Sequence, residues 1–117
     1  MLDYSYEPVG ENGDIMSLAI TGDLTAENCD YLLKCIESQI EDGYDKLILN
    51  CEDLSYISSL GLGMLVRVHS RMKKIGGDVR LANLHGTVAE IFRVVKLDRV
   101  FQIYPTVEEA AASFDET

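Results

Sequence analysis

The sequence is short of positive charge. Ten lysines and arginines stand against twenty aspartates and glutamates, a formal net charge of −10. Phosphate binding draws on clustered Lys and Arg, so this balance argues against nucleic acid as a partner and against an anionic membrane surface. It suits a partner that presents a basic patch. Long apolar runs are missing as well, and none approaches the roughly 20 residues that span a bilayer. Met1 to Gly10 carries Asp3 and Glu7 and no basic residue, which is not a secretory signal. A cytoplasmic chain is therefore expected. The three cysteines, Cys29, Cys35 and Cys51, form no CxxC pair and read as reduced thiols in or beside the core. There is no P-loop, and Gly61-Leu62-Gly63 lacks the third glycine of a dinucleotide loop. No Ser/His/Asp set stands out by spacing. The expectation is a protein with no catalytic residues, no metal site and no cofactor of its own.

What is present fits one domain, 1–117, with one hydrophobic core. Hydrophobic residues make up 47% and charged residues 26%, as in soluble globular chains. Tyr4 to Pro8 alternates weakly, and Ile15 to Thr21 reads as a strand ended by Gly22-Asp23. Gly10 to Asp14 reads as a hairpin turn between them, with Asn12-Gly13 supplying positive φ. Thr25 is placed to cap a helix over about Ala26 to Glu41, with Leu32, Leu33, Ile36 and Ile40 as its apolar stripe. Lys46 to Asn50 is nearly continuous in apolar character, which suits a strand covered on both faces. A second helix is predicted over about Leu60 to Ile75. Asp78 to Ala82 reads as a strand. Thr87 is the expected cap of a helix to Val95, with Glu90 at the capping-box position. Val100 to Tyr104 reads as a strand, and Thr106 with Glu109 opens a last helix to Phe114. Alternation after the hairpin predicts an α/β domain with parallel neighbours.

The informative stretch is Asn50 to Gly63, NCEDLSYISSLGLG. Two serines precede a helix start, and two glycines follow in its first turns, where each costs about 1 kcal/mol relative to alanine. The glycines answer either to close approach by a partner or to tight packing on a strand. A serine at this place either caps the helix or accepts a phosphate, whose charge a helix N-terminus tolerates. Spacing alone leaves both readings open. His69 reads as a half-buried residue at the edge of the apolar stripe, and His85 as a loop residue.

Glu52 to Gly63 resembles the signature of the STAS family, in particular the single-domain anti-sigma factor antagonists of bacterial partner-switching systems. The resemblance extends over Leu18 to Leu24 (LAITGDL), the helix exit Lys74-Ile75-Gly76-Gly77, and Val88 to Phe101 (VAEIFRVVKLDRVF). It implies a STAS-like mixed β-sheet, an N-terminal hairpin then parallel strands, in a single layer packed by about four helices. It implies that Ser59 is the phosphorylated residue, with Ser58 where the family often has Asp and Leu60 where it has a small residue. It further implies that the unphosphorylated form binds an anti-sigma factor that is also a serine kinase of histidine-kinase-like ATPase fold. The sigma factor is thereby released, phosphorylation ends the complex, and a PP2C-type phosphatase restores it. Asp23, Leu24 and Thr25 are expected to join Tyr56, Ile57, Ser58, Leu60, Gly61, Leu62 and Gly63 in the partner face. Two other outcomes stay open for a chain of this resemblance. One is a STAS subunit of a lipid-transport or stressosome-type assembly, and the other is a nucleotide- or lipid-binding module.

Overall fold

Strand β1 (Leu2–Val9) pairs antiparallel along its whole length with β2 (Ile15–Leu24). The turn between them takes positive φ at Gly10 and Gly13, not at Asn12. The computed structural model describes residues 2–115, so Met1, Glu116 and Thr117 of the expected 1–117 domain lie outside the described residues. After β2 the chain runs through α1 (Cys29–Glu41), β3 (Lys46–Asn50), β4 (Leu54–Ile57) and α2 (Ser59–Lys74). It continues through β5 (Asp78–Ala82), α3 (Gly86–Val94), a 3₁₀ turn (Leu97–Arg99), β6 (Gln102–Tyr104) and α4 (Val107–Asp115). The sheet is mixed, in the order β1-β2-β3-β5-β6, with β4 attached to the end of β2.

Parallel strands β2, β3, β5 and β6 are laid down in one direction across the sheet. Right-handed crossovers that keep advancing the same way put every connecting helix on the same face. The main core bears this out. Leu18, Ile20, Leu47, Leu49, Val79 and Leu81 of the strands meet Leu32 and Ile36 of α1, Leu65 and Met72 of α2, and Phe92 of α3. Each such side chain, fully buried, contributes about 1.5–3 kcal/mol. Among the described residues the opposite face of the sheet receives only α4, whose Ala110, Ala111 and Phe114 cover Ile15, Ile48 and Ala82. The near-continuous apolar run of β3 is explained by this double covering. All three cysteines are buried free thiols, and burial pushes Cys51 up to about 12, so that thiol stays protonated. Among the described residues no helix is long and apolar enough to cross a membrane.

Several local expectations are corrected. β2 runs on through Gly22-Asp23 to Leu24, with a register shift at Gly22/Asp23, because β4 gives its last residues a new partner. β4 itself was not expected. Helix α1 starts three residues late, and its cap position is Asn28 rather than Thr25. Thr25 to Asn28 forms a separate turn in which the Thr25 N–H donates to Asn28 Oδ1 at 2.8 Å. Thr87 lies inside α3 and does not cap it, and Glu90 pairs with Arg93 instead of reaching back to the helix start. Strand β6 begins at Gln102, two residues after Val100, because the 3₁₀ turn occupies the chain up to Arg99. Thr106 does cap α4, accepting from the Glu109 N–H at 3.1 Å.

One buried ion pair ties the sheet to its helices. Asp78 accepts from Arg80 Nε at 3.0 Å and lies 3.3 Å from Lys73 Nζ and 3.8 Å from His69 Nε2. His69, half-buried as expected, stands edge-on to Phe101 at 5.0 Å. Arg80 also donates to Ser113 of α4 and lies over the Phe114 ring at 3.9 Å. Removing the carboxylate strands a buried guanidinium. Asp78→Ala is therefore expected to lower the unfolding free energy by about 3 kcal/mol in urea denaturation. Lys46→Ala, at the exposed 3.0 Å pair with Asp14, should cost less than about 1 kcal/mol.

Candidate functional site

The two serines have different surroundings. Ser58 is the N-cap of α2, extended at φ −85° and ψ 169°, and its Oγ accepts from the Gly61 N–H at 3.2 Å. Its own N–H donates to Leu24 O at 2.9 Å, which fastens the helix start to the end of β2. Ser59 is the first helical residue and is exposed. Among the described residues its hydroxyl has no hydrogen-bond partner. Capping is thus supplied by Ser58, and Ser59 is not needed for it. The N–H groups of Ser59 and Leu60 are the unsatisfied donors that any first turn leaves. No acidic residue occupies that turn, whereas Arg71, Lys73 and Lys74 occupy the last one. The helix dipole is compensated at its C-terminus alone.

β4 brings the remaining segment alongside. Its parallel pairing sets Tyr56 beside Asp23 and Ile57 beside Leu24. The Gly22 N–H donates to Asp53 O at 3.0 Å, and Asn28 Nδ2 donates to Asp23 O at 2.8 Å. Asn28 therefore holds both ends of the Asp23–Thr25 turn, a part that sequence reasoning did not assign to it.

Of the residues expected in a partner face, the structure gathers all at one end of the sheet but divides them by burial. Leu24, Ile57, Gly61 and Leu62 are buried. Leu24, Ile57 and Leu62 belong to the core, so they offer no contact area. Tyr56 and Leu60 carry the apolar surface, 46% and 62% exposed, with Ser59 and Gly63 exposed beside them and Asp23, Thr25 and Ser58 half-buried. The two glycines part company in the same way. A β-carbon at Gly61 would stand 3.1 Å from Leu24 Cγ and Ile57 Cγ1 and 3.2 Å from Leu24 O. At Gly61 the packing is tight, and a side chain would have to push Leu24 and Ile57 by a few tenths of an ångström. A β-carbon at Gly63 would meet nothing within 4 Å. Four residues after Ser59, it lies on the same helix face and leaves the backbone there bare. His85 approaches from the next loop, its Nε2 2.7 Å from Glu52 O. Among the described residues no cluster of His, Cys, Asp and Glu could hold a metal ion.

Comparison with known proteins gives a consistent family. The model of the STAS domain family matches residues 8–110. A protein of Thermotoga neapolitana named as a candidate anti-sigma factor antagonist is 29% identical over 98 residues, 83% of this chain and 87% of its own length. The anti-sigma-B factor antagonist of Bacillus subtilis is 28% identical over 95 residues, 81% of this chain and 86% of its own. The crystal structure of a candidate anti-sigma factor antagonist from Thermotoga maritima superposes with a TM-score of 0.86 at 27% identity. That match covers 94% of this chain and 92% of the other.

The division of roles predicts opposite effects at neighbouring positions in thermal or urea unfolding. Ser58→Ala loses the cap and is expected to cost about 1 kcal/mol. Gly63→Ala, in open space on a helix, should stabilise by about 0.5–1 kcal/mol. A Gly63→Ala variant that is less stable than wild type would contradict this geometry.

Proposed function

The chain belongs to the STAS domain family, and from that premise we propose that it is an anti-sigma factor antagonist, a single regulatory domain over 1–117 acting in the cytoplasm without catalysis of its own. Unphosphorylated, it binds an anti-sigma factor that is also a serine kinase of histidine-kinase-like ATPase fold, and the sigma factor is released. The kinase transfers the γ-phosphoryl group of ATP to Ser59 Oγ, and the Ser59 proton leaves with the kinase's base. A PP2C-type phosphatase hydrolyses the ester and restores the binding form.

One observation carries this reading: the serine that caps α2 is Ser58, and the exposed Ser59 beside it has no structural task. A hydroxyl conserving nothing inside its own chain is free to be modified without loss of fold. The surroundings suit the product. A phosphate on Ser59 stands at the uncompensated positive end of α2, beside the free N–H groups of its first turn. It also stands beside Leu60 and Tyr56, the apolar surface of the proposed docking face. Charge delivered there opposes burial of that surface against an apolar or acidic partner. The nearby Asp23, Thr25, Ser58 and Gly63 complete the face, and Leu24, Ile57, Gly61 and Leu62 support it from below.

The test uses a candidate serine kinase of histidine-kinase-like ATPase fold. Incubation with that kinase and ATP is expected to add one phosphate by intact mass to the wild type and to Ser58→Ala, and none to Ser59→Ala. Ser59→Asp should fold normally and bind the kinase at least about tenfold more weakly, a loss of about 1.4 kcal/mol. Wild-type affinity in Ser59→Asp, or phosphate on Ser58, would refute the assignment.

A further inference from the structure

Helices α1, α2 and α3 each return the chain to the start of the next parallel strand, so all three end at the edge of the sheet remote from Ser59. There β3, β5 and β6 begin, and the Asp78 N–H donates to Asp45 O at 3.0 Å. α2 lies between the other two helices. Its Arg71 pairs with Glu37 of α1, and its His69 packs on Phe101, which packs in turn on Phe92 of α3.

Three helix C-termini side by side present the same partial negative charge, and cations are the stabilising choice at each. α1 breaks this rule. It has no basic residue in its last turn and runs out through Glu41 and Asp42, with Asp45 just beyond. All three carboxylates are exposed, and among the described residues none is in an ion pair. On the other side Lys74, Lys96 and Arg99 are exposed and likewise unpaired among the described residues, with Asp98 as the one carboxylate between the last two. Lys96 takes a left-handed conformation, φ 64°, just past the end of α3, where glycine is the usual residue. A lysine is held there at the expense of backbone strain. The same side carries Ile75, Val94, Val95 and Val100, each between 43% and 69% exposed. These are half of the large hydrophobic side chains exposed among the described residues, gathered at one end of the fold.

This end is therefore divided. It is acidic around α1 and the start of β3, and basic and apolar around α2, α3 and the approach to β6. β3 and β6 are two places apart in the sheet, which separates the halves by about 10 Å. A surface with both signs side by side is complementary to itself. A two-fold axis along the strands lays the acidic half of one copy on the basic half of the other, and does so twice. A uniformly anionic partner would be drawn to one half and repelled by the other.

We propose that this end of the fold binds a second copy of the chain, end to end, with Lys74, Lys96 and Arg99 of each copy facing Glu41, Asp42 and Asp45 of the other around the exposed valines. The pairing does not depend on the phosphorylation reading. It leaves both Ser59 faces pointing outward.

Sedimentation equilibrium of the full chain tests it. A monomer–dimer equilibrium is expected between about 10 µM and about 1 mM, weakened at least about tenfold when NaCl is raised from about 0.05 to about 0.5 M. Lys96→Glu/Arg99→Glu and Asp42→Lys/Asp45→Lys should each stay monomeric with an unchanged circular dichroism spectrum. Mixed, they should form a heterodimer, although both remain acidic overall. Val94→Ser/Val100→Ser should weaken the wild-type dimer by a similar factor to salt. A wild type that is monomeric throughout would overturn the proposal. So would a charge-reversed variant that dimerises alone as the wild type does, or a mixture of the two that does not associate. A monomer that cosediments with phosphatidylglycerol vesicles through Lys96 and Arg99 would assign the patch to a lipid surface and overturn it as well.

Discussion

Everything in this molecule depends on the handedness of its crossovers. Four parallel strands follow one another in a single direction across the sheet, and right-handed connections then put α1, α2 and α3 on one side. That side becomes the main core. The other side receives one short helix, α4, which follows β6 and lies back across the middle strands β3 and β5. The sheet is therefore unequal by construction. One face is closed by long side chains, and the other pairs a small apolar patch with a strip of serine, alanine and asparagine. Asp78 and Arg80 connect the two faces, because their network reaches Lys73 and His69 on one side and Ser113 and Phe114 on the other.

The same topology delivers α2 to a particular place. β3 leads through Cys51 to Asp53 into β4, whose four residues do little for the core beyond Leu54 and Ile57. Their effect is positional. By pairing with the end of β2, β4 brings the helix start to Leu24, where the Ser58 N–H is captured. Ser58 then closes the first turn and Gly61 lets it press against Leu24 and Ile57. Ser59, Leu60 and Gly63 are what remains on the outside.

Long, periodic or continuously apolar segments were legible in the sequence. The spacing of Leu32, Ile36 and Ile40, and the run Lys46 to Asn50, gave elements that match the structure. β4 was not legible, because Leu54 to Ile57 shows the pattern of a loop: two inward residues separated by two exposed ones, without a turn signal before it. That one omission propagated. Without β4 there was no strand for Leu24 and Ile57 to be buried against, so both were expected in the partner face. The cap of α1 was misplaced for a different reason. Thr25 and Asn28 are both good capping types, and the choice was made by the Asn28 side chain bonding back to Asp23 O and the Thr25 N–H, a turn that helix-capping rules do not contain. At the serine pair the sequence admitted both a cap and an acceptor. The structure assigns the cap to Ser58 by a hydrogen bond, which spacing could not do.

The large negative charge of the chain has its own consequence for how a phosphate on Ser59 would be noticed. Such a group adds about −1.5 to −2 charges to a molecule already at −10, and so changes the distant field by no more than about a fifth. At physiological ionic strength that difference fades within about 8 Å. A partner diffusing past would find the two forms nearly alike, and encounter rates would barely separate them. Discrimination has to happen after touching, in how long the complex lasts. An uncharged helix start within an acidic protein would thus make the proposed switch a matter of residence time and not of attraction.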